Sequence, residues 1–275
     1  MTVNTYYSLK GGKPDPTTLV TDRAVFKEAY AFIPRRCAKD ITASFFPNWE
    51  KTRGWVLARP LSGFAETFAQ VAMEVFAMGG TNRPEDDPEA ECVIFVTEGE
   101  IELTIAGILH RLTPGGYAYI PPGVPWALWN RGAISACFMW VRKKYQRVEG
   151  LPLPDVLIAN ENAVAPVAME LSDGRWKTTR FVDPADLRHD MHVNIVTFES
   201  GGVIPFAETH VMEHGLYVLE GRAVYRLNDD WLEVEAGDFM WLRAFCPQAC
   251  YEGGPQRFRY LLYKDVNRQM PLVPF

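Results

Sequence analysis

The chain has 275 residues, 48% of them apolar and 23% charged, with 28 basic against 34 acidic side chains for a net charge of −6. That is enough apolar material to bury a sizeable core, and an acidic balance without a large basic block argues against binding to a nucleic-acid backbone. No apolar run approaches the ~18 residues of a membrane span, and the polar start Met1-Thr2-Val3-Asn4 lacks the layout of a signal peptide. Five scattered cysteines fit a reducing, cytoplasmic setting better than a disulfide framework.

In chain order, residues 1–58 hold a turn-rich stretch, Gly11-Gly12-Lys13-Pro14-Asp15-Pro16, and are expected to pack as extra strands. The Ala- and Met-rich segment from Phe64 to Met78 is compatible with a helix, but an internal repeat sets it opposite the β-branched run Met191 to Ser200, so 69–77 is read as strand. Val93 to Val96, Ile101 to Ile105 and Tyr117 to Ile120 are short β-type runs closed by turns. The basic run Arg142-Lys143-Lys144-Tyr145-Gln146-Arg147 reads as a solvated strand end. Residues 146–181, with Pro152, Pro154 and Pro166, read as a connector, with one short helix expected near Pro184-Ala185-Asp186. Leu216 to Leu219, Ala223 to Leu227, Phe239 to Leu242 and Phe258 to Tyr263 repeat the earlier scheme. Short strands with turns every 8–12 residues predict an all-β sandwich or barrel.

The repeat is carried by glycines at a fixed offset of 122: Gly79-Gly80 with Gly201-Gly202, Gly99 with Gly221, and Gly115 with Gly237. At roughly 150 residues per domain the length suggests about two domains, and the repeat makes them copies of one module. The expected division is 1–58 as N-terminal extension, 59–145 as first module, 146–181 as connector and 182–275 as second module.

The chemistry concentrates in the second copy. Glu208 and His210 are two apart, so on a strand they share a face, and His214 can rejoin that face across a turn or in a continuing strand. Three potential ligands in seven residues between glycine turns make a metal-site pattern. The spacing resembles the cupin first motif, Gly-x5-His-x-His-x3-4-Glu-x6-Gly, here Gly202-x5-Glu208-x-His210-x3-His214-x6-Gly221 with Glu and His partly exchanged. Gln248 stands where the second cupin motif has its last ligand. The first copy keeps the second-motif skeleton, Gly115-x5-Pro121-x-Gly123-x2-Trp126-x3-Asn130, but has Asp86, Pro88, Cys92 and Trp126 at the ligand positions. Proline has no side-chain donor atom and the indole nitrogen is a hydrogen-bond donor only, so this copy is expected to be metal-free and structural.

The whole chain resembles the bicupin (S)-ureidoglycine aminohydrolases of allantoin breakdown. The match is strongest through Glu208-Thr209-His210-Val211-Met212-Glu213-His214-Gly215, Val224-Tyr225-Arg226-Leu227, Pro247-Gln248 and the run from Tyr260 to Arg268. The resemblance implies two tandem jelly-roll barrels and manganese held by Glu208, His210, His214 and Gln248. It also implies a pocket using Tyr225, Tyr260 and Lys264, conversion of (S)-ureidoglycine to (S)-ureidoglycolate with release of ammonia, and a homo-oligomer.

The residues themselves leave more open. A mixed N/O donor set without thiolate suits Mn2+, Fe2+, Ni2+ or Zn2+. Lys264 can pair with a substrate carboxylate or transfer a proton, and Tyr225 can donate to a substrate oxygen. The general base is not identified. Where the second copy has Tyr260 and Lys264, the first has Phe138 and Arg142. His189 and His192 are assigned surface or structural roles, His110 is a lone loop histidine, and Cys92, Cys246 and Cys250 are read as packing residues. The rival functions are an Fe-dependent cupin dioxygenase and a non-catalytic small-molecule-binding cupin.

Overall fold

The structure, a computed structural model, describes residues 4–10, 23–41, 46 and 48–266. The turn-rich stretch 11–16 and residues 267–268 lie outside them.

Two β-barrels make up almost all of the regular structure. In the first, the strand order is Leu157–Asn160, Gly116–Ile120, Ala90–Glu98, Ala136–Lys144, Ala69–Thr81, Trp126–Trp129, Ile101–Ile105 and Ile108–Leu112, with Glu50–Ala58 paired to Ala69–Thr81. The second has two sheets. The larger runs Val25–Phe26, Tyr30–Ile33, Phe239–Leu242, His214–Glu220, Phe258–Asp265, Met191–Phe198, Trp176–Thr179 and Val167–Ala168. The smaller runs Val203–Glu208, Gln248–Glu252, Arg222–Leu227 and Asp230–Glu235. All the pairings are antiparallel.

Each barrel borrows a strand from outside its module. Tyr30–Ile33, from the N-terminal segment, pairs with Phe239–Leu242 of the second barrel. Leu157–Asn160, from the segment joining the modules, pairs with Gly116–Ile120 of the first.

Three apolar cores follow from period-2 alternation. Along Phe258–Asp265, Phe258 and Tyr260 point into the second barrel, while Leu261 and Tyr263 join a shared core with Phe95, Trp55 and Trp241. Met191–Phe198 divides the same way, and all eight of its residues are buried. A strand covered on both faces shows a continuous apolar run rather than alternation, as these strands do. The third core fills the first barrel.

The glycine repeat has a backbone cause. Gly99 (φ 71°) and Gly221 (φ 78°) both take the left-handed conformation, and a Cβ on either would fall within 3 Å of a backbone oxygen, of Ser135 and Arg257 respectively.

The Ala- and Met-rich segment is a strand, Ala69–Thr81, as the repeat predicts. Other expectations are corrected. No helix forms near Pro184-Ala185-Asp186: the Asp183 carboxylate accepts from the Ala185 N–H and the Asp186 carboxylate from the Arg188 N–H, side-chain turns that compete with a helix. A helix appears instead at Arg35–Ile41, inside the segment expected to pack as extra strands, which also supplies Val25–Phe26, Tyr30–Ile33 and Glu50–Ala58. The basic run is a strand end solvated only in part: Lys144, Gln146 and Arg147 are exposed, but Lys143 is 6% exposed and ion-paired with buried Asp190, and Arg142 is paired with Glu85. His110 lies within the strand Ile108–Leu112 rather than in a loop. His189 and His192 are buried, which leaves them the structural role and removes the surface one.

Candidate metal centre

The second barrel brings the predicted site residues together by register. Glu208 ends its strand directly opposite Gln248, and His214 begins the next strand opposite Lys264. His210 lies in the turn between them, where the Phe245 N–H donates to its carbonyl over 2.6 Å. Phe245 itself holds φ 67°, an uncommon conformation for a residue with a side chain, so the loop following Leu242 is shaped to meet the His210 turn.

The side chains face one small cavity, of about 90 Å³, lined by Glu208, His210, His214, Gln248, Tyr260 and Lys264 among others. This is well below the roughly 300–1,000 Å³ of clefts that take drug-sized molecules, so it suits a ligand of a few heavy atoms. Glu208 Oε1 is 3.2 Å from His210 Nε2, and Gln248 Nε2 donates to Glu208 Oε2 at 3.3 Å. The His210 and His214 rings are 4.9 Å apart. His214 Nδ1 faces the Met212 carbonyl at 3.0 Å, which leaves Nε2 for the cavity. Burial, then the neighbouring His210 and Lys264, push the His214 pKa down to about 3. It is therefore neutral, the form that ligates metals, and its backbone-anchored Nδ1 is the usual way such a ring is oriented.

One carboxylate, two imidazoles and an amide oxygen form a donor set that fits a first-row divalent metal. As placed, Glu208 is turned toward His210 and Gln248, and among the described residues no three His, Cys, Asp or Glu side chains already form a ligating group.

Tyr260 and Lys264 line the cavity, but Tyr225 does not. It lies behind Gln248, fully buried, and its hydroxyl donates to Gln248 Oε1 at 2.8 Å and lies 3.3 Å from the Tyr260 hydroxyl. Burial raises both phenol pKa values well above 10, so both remain protonated. Burial, then the charge of Arg180, lowers that of Lys264.

The cavity wall also contains residues that the sequence reading left aside. Trp176, Thr178 and Arg180, from the segment read as connector, and Asn194 all line it. The 176–178–180 alternation is itself a one-face strand signal, but the prolines upstream make the segment look like a linker. Trp176–Thr179 pairs with Met191–Phe198, setting Thr178 opposite Val196.

In the first barrel the corresponding positions, Asp86, Pro88, Cys92 and Trp126, line a cavity of about 240 Å³ at whose wall aromatic rings pack together. Trp126 packs with Trp140 at 6.1 Å between ring centroids, and Trp49, from the N-terminal segment, approaches Trp140 at 5.6 Å and Trp126 at 6.5 Å. Asp86 is turned outward to Arg83 at 2.8 Å. Arg142 grips Glu85 through Nε at 2.6 Å and lies over Trp140. Cys92 is buried with its pKa pushed up to about 12 by desolvation, the behaviour of an inert packing thiol, and Cys246 and Cys250 are buried too.

Comparison with known proteins gives a consistent picture. The cupin domain family matches twice, at residues 72–142 and 194–262. The chain is 31% identical to (S)-ureidoglycine aminohydrolase from Arabidopsis thaliana, over 90% of this chain and 78% of that protein. It is 29% identical to (S)-ureidoglycine aminohydrolase from Escherichia coli, over 92% and 95% respectively. A crystal structure described as that of a glyoxylate-induced protein from Pseudomonas aeruginosa is 61% identical, with a TM-score of 0.92, covering 99% of this chain and 100% of that one.

Proposed function

Because the chain belongs to the (S)-ureidoglycine aminohydrolase family of bicupins, we propose that it hydrolyses (S)-ureidoglycine to (S)-ureidoglycolate and ammonia, with a divalent metal held by Glu208, His210, His214 and Gln248. The observation that carries this reading is the meeting of those four side chains with Tyr260 and Lys264 around one small cavity.

Manganese is the metal the resemblance implies, with Fe2+, Ni2+ and Zn2+ chemically compatible alternatives. Such an ion would supply a fixed charge that orients a chelating substrate and stabilises charge developing in the reaction.

The remaining work falls to the chain. Water adds at the α-carbon as the bond from that carbon to the amine nitrogen breaks; the water gives up one proton to become the hydroxyl, and the nitrogen gains one and leaves as ammonia. Lys264, partly desolvated and beside a second cation, releases a proton more readily than a lysine in water, which suits it to that transfer. Tyr260 presents a protonated hydroxyl to the cavity as a donor to substrate oxygen. Tyr225 acts on Gln248, holding its amide in place. The reading includes a homo-oligomer in the cytoplasm, the former checked by sedimentation.

The test is direct. Protein stripped with a chelator is reloaded with Mn2+, Fe2+, Ni2+ or Zn2+ and given freshly prepared ureidoglycine. Ammonia should appear well above the spontaneous background with at least one metal and fall to background without metal. Background rates throughout, or oxygen uptake on another substrate under Fe2+, would overturn the hydrolase reading.

A further inference from the structure

We propose that Arg180, with Thr178 beside it, forms the carboxylate subsite of this cavity and so restricts the enzyme to substrates carrying a free acid group. This deepens the hydrolase reading and, for its catalytic consequences, rests on it.

The argument begins with charge. Among the described residues that line the cavity, Glu208 is the one carboxylate, and it faces His210 and Gln248. Two cationic side chains, Arg180 and Lys264, line the same space. Neither makes an ion pair with any described residue, although most other arginines of this chain are paired with carboxylates. Arg180 has one weak polar contact, from Nη2 to the Met169 sulfur at 3.9 Å. The cavity wall thus carries an excess of positive charge before any metal is added. A bound metal engaging Glu208 would enlarge that excess, and an anionic ligand would balance it.

Geometry supports the same reading. Thr178 and Arg180 are two apart in the segment that borders Met191–Phe198, so they present to one face. Thr178 is 5% exposed, and its hydroxyl has no side-chain hydrogen bond to any described residue. Its oxygen is not among the buried polar atoms enclosed without a partner, so it is open to a ligand or water in the cavity. Guanidinium and hydroxyl together match a carboxylate: the planar fork takes both oxygens, and the hydroxyl donates to one of them. Arg180 is exposed, so its charge is available at the mouth to a substrate arriving from water.

The chemical class that fits is a small α-substituted carboxylate, with the acid group at the Arg180 side and the reacting α-carbon toward Glu208 and His214. Lys264 is then left for proton transfer rather than for binding the acid.

The experiment compares Arg180→Met, Arg180→Lys and Thr178→Val with the parent enzyme, each first shown to keep its melting temperature and metal content. With ureidoglycine, Arg180→Met should raise KM roughly tenfold or more while kcat changes little, Arg180→Lys should recover part of the loss, and Thr178→Val should give a smaller rise. The neutral amide of the substrate should be a poor substrate for the parent and should lose nothing further in Arg180→Met. An unchanged KM, or a fall in kcat at constant KM, would overturn the subsite. A calorimetric titration with sodium glycolate separates the two readings. If the parent protein releases no ammonia from ureidoglycine but binds glycolate, and Arg180→Met does not, the reaction assignment fails and the subsite stands. If the parent and Arg180→Met bind glycolate equally, the subsite fails whatever the reaction.

Discussion

The hydroxyl of Tyr225 donates to Oε1 of Gln248 over 2.8 Å, while Nε2 of the same amide donates to Glu208 Oε2 over 3.3 Å. The amide oxygen has two lone pairs, so Oε1 can accept from Tyr225 and still offer one to a metal, and the hydroxyl fixes which end of the amide is oxygen. Tyr225→Phe removes that control from a fully buried position. The expected result is weaker metal binding by roughly 10–100-fold, the usual cost of losing a partner that orients a ligand, with about 1 kcal/mol lost in stability. Competition with a chromogenic chelator measures the first and urea denaturation the second. Unchanged metal affinity would show that Gln248 needs no such partner.

Lys264→Met keeps the aliphatic stem and deletes the proton carrier. The expected loss in kcat is roughly 10²–10⁴-fold, with metal content and glycolate affinity close to those of the parent. A matching loss of glycolate binding would instead make Lys264 a carboxylate ligand.

In the first barrel, Trp126 holds the fourth ligand position but packs against Trp49 and Trp140. Restoring one ligand still leaves Asp86 turned to Arg83 and Pro88 without a donor atom. Trp126→His should therefore bind no second metal, and the metal-to-chain ratio should stay at that of the parent. It should destabilise the protein by about 3 kcal/mol, because a large buried aromatic is replaced by a smaller polar ring. A second equivalent of metal, measured by plasma emission, would show that Trp126 alone keeps this barrel free of metal.

His192 predicts an acid limb in stability. Burial, then the charge of Lys264, lowers its pKa from 6.5 to about 4 in the folded chain. Above pH 6.5 the ring is neutral folded or unfolded and contributes no slope. As pH falls from about 6.5 to about 4, the unfolded chain takes up a proton that the folded chain refuses, so stability drops. The full loss from this group is about 3 kcal/mol by proton linkage. His214 and His189, both also lowered, add to the same limb. In metal-free protein, His192→Gln should flatten the fall in urea midpoint between pH 7 and 4.5 without abolishing it. An identical fall would assign the limb to other groups.

How much of this was legible in the sequence depends on the range of the interactions. The glycine skeleton was readable because each turn makes a local demand, a left-handed backbone with no room for a Cβ, and Gly99 and Gly221 meet it identically. Glu208, His210 and His214 were readable because seven residues cannot stray far from one another. Arg180 and Thr178 were not, because nothing local marks them: only the pairing of Trp176–Thr179 with Met191–Phe198 carries them to the cavity. Tyr225 was found by type but its contact was not, since the donor distance to Gln248 is fixed by register between strands. Trp49 was missed for the same reason, as its partners are Trp126 and Trp140 across the barrel.

The borrowed strands bear on how the chain comes into being. Tyr30–Ile33 leaves the ribosome long before Phe239–Leu242, the strand it lies against. Its edge on that side must wait until residues 239–242 are made. The two halves therefore cannot mature one after the other as beads on a string. A fragment that stops short of residue 239 leaves Tyr30–Ile33 joined to Val25–Phe26 alone.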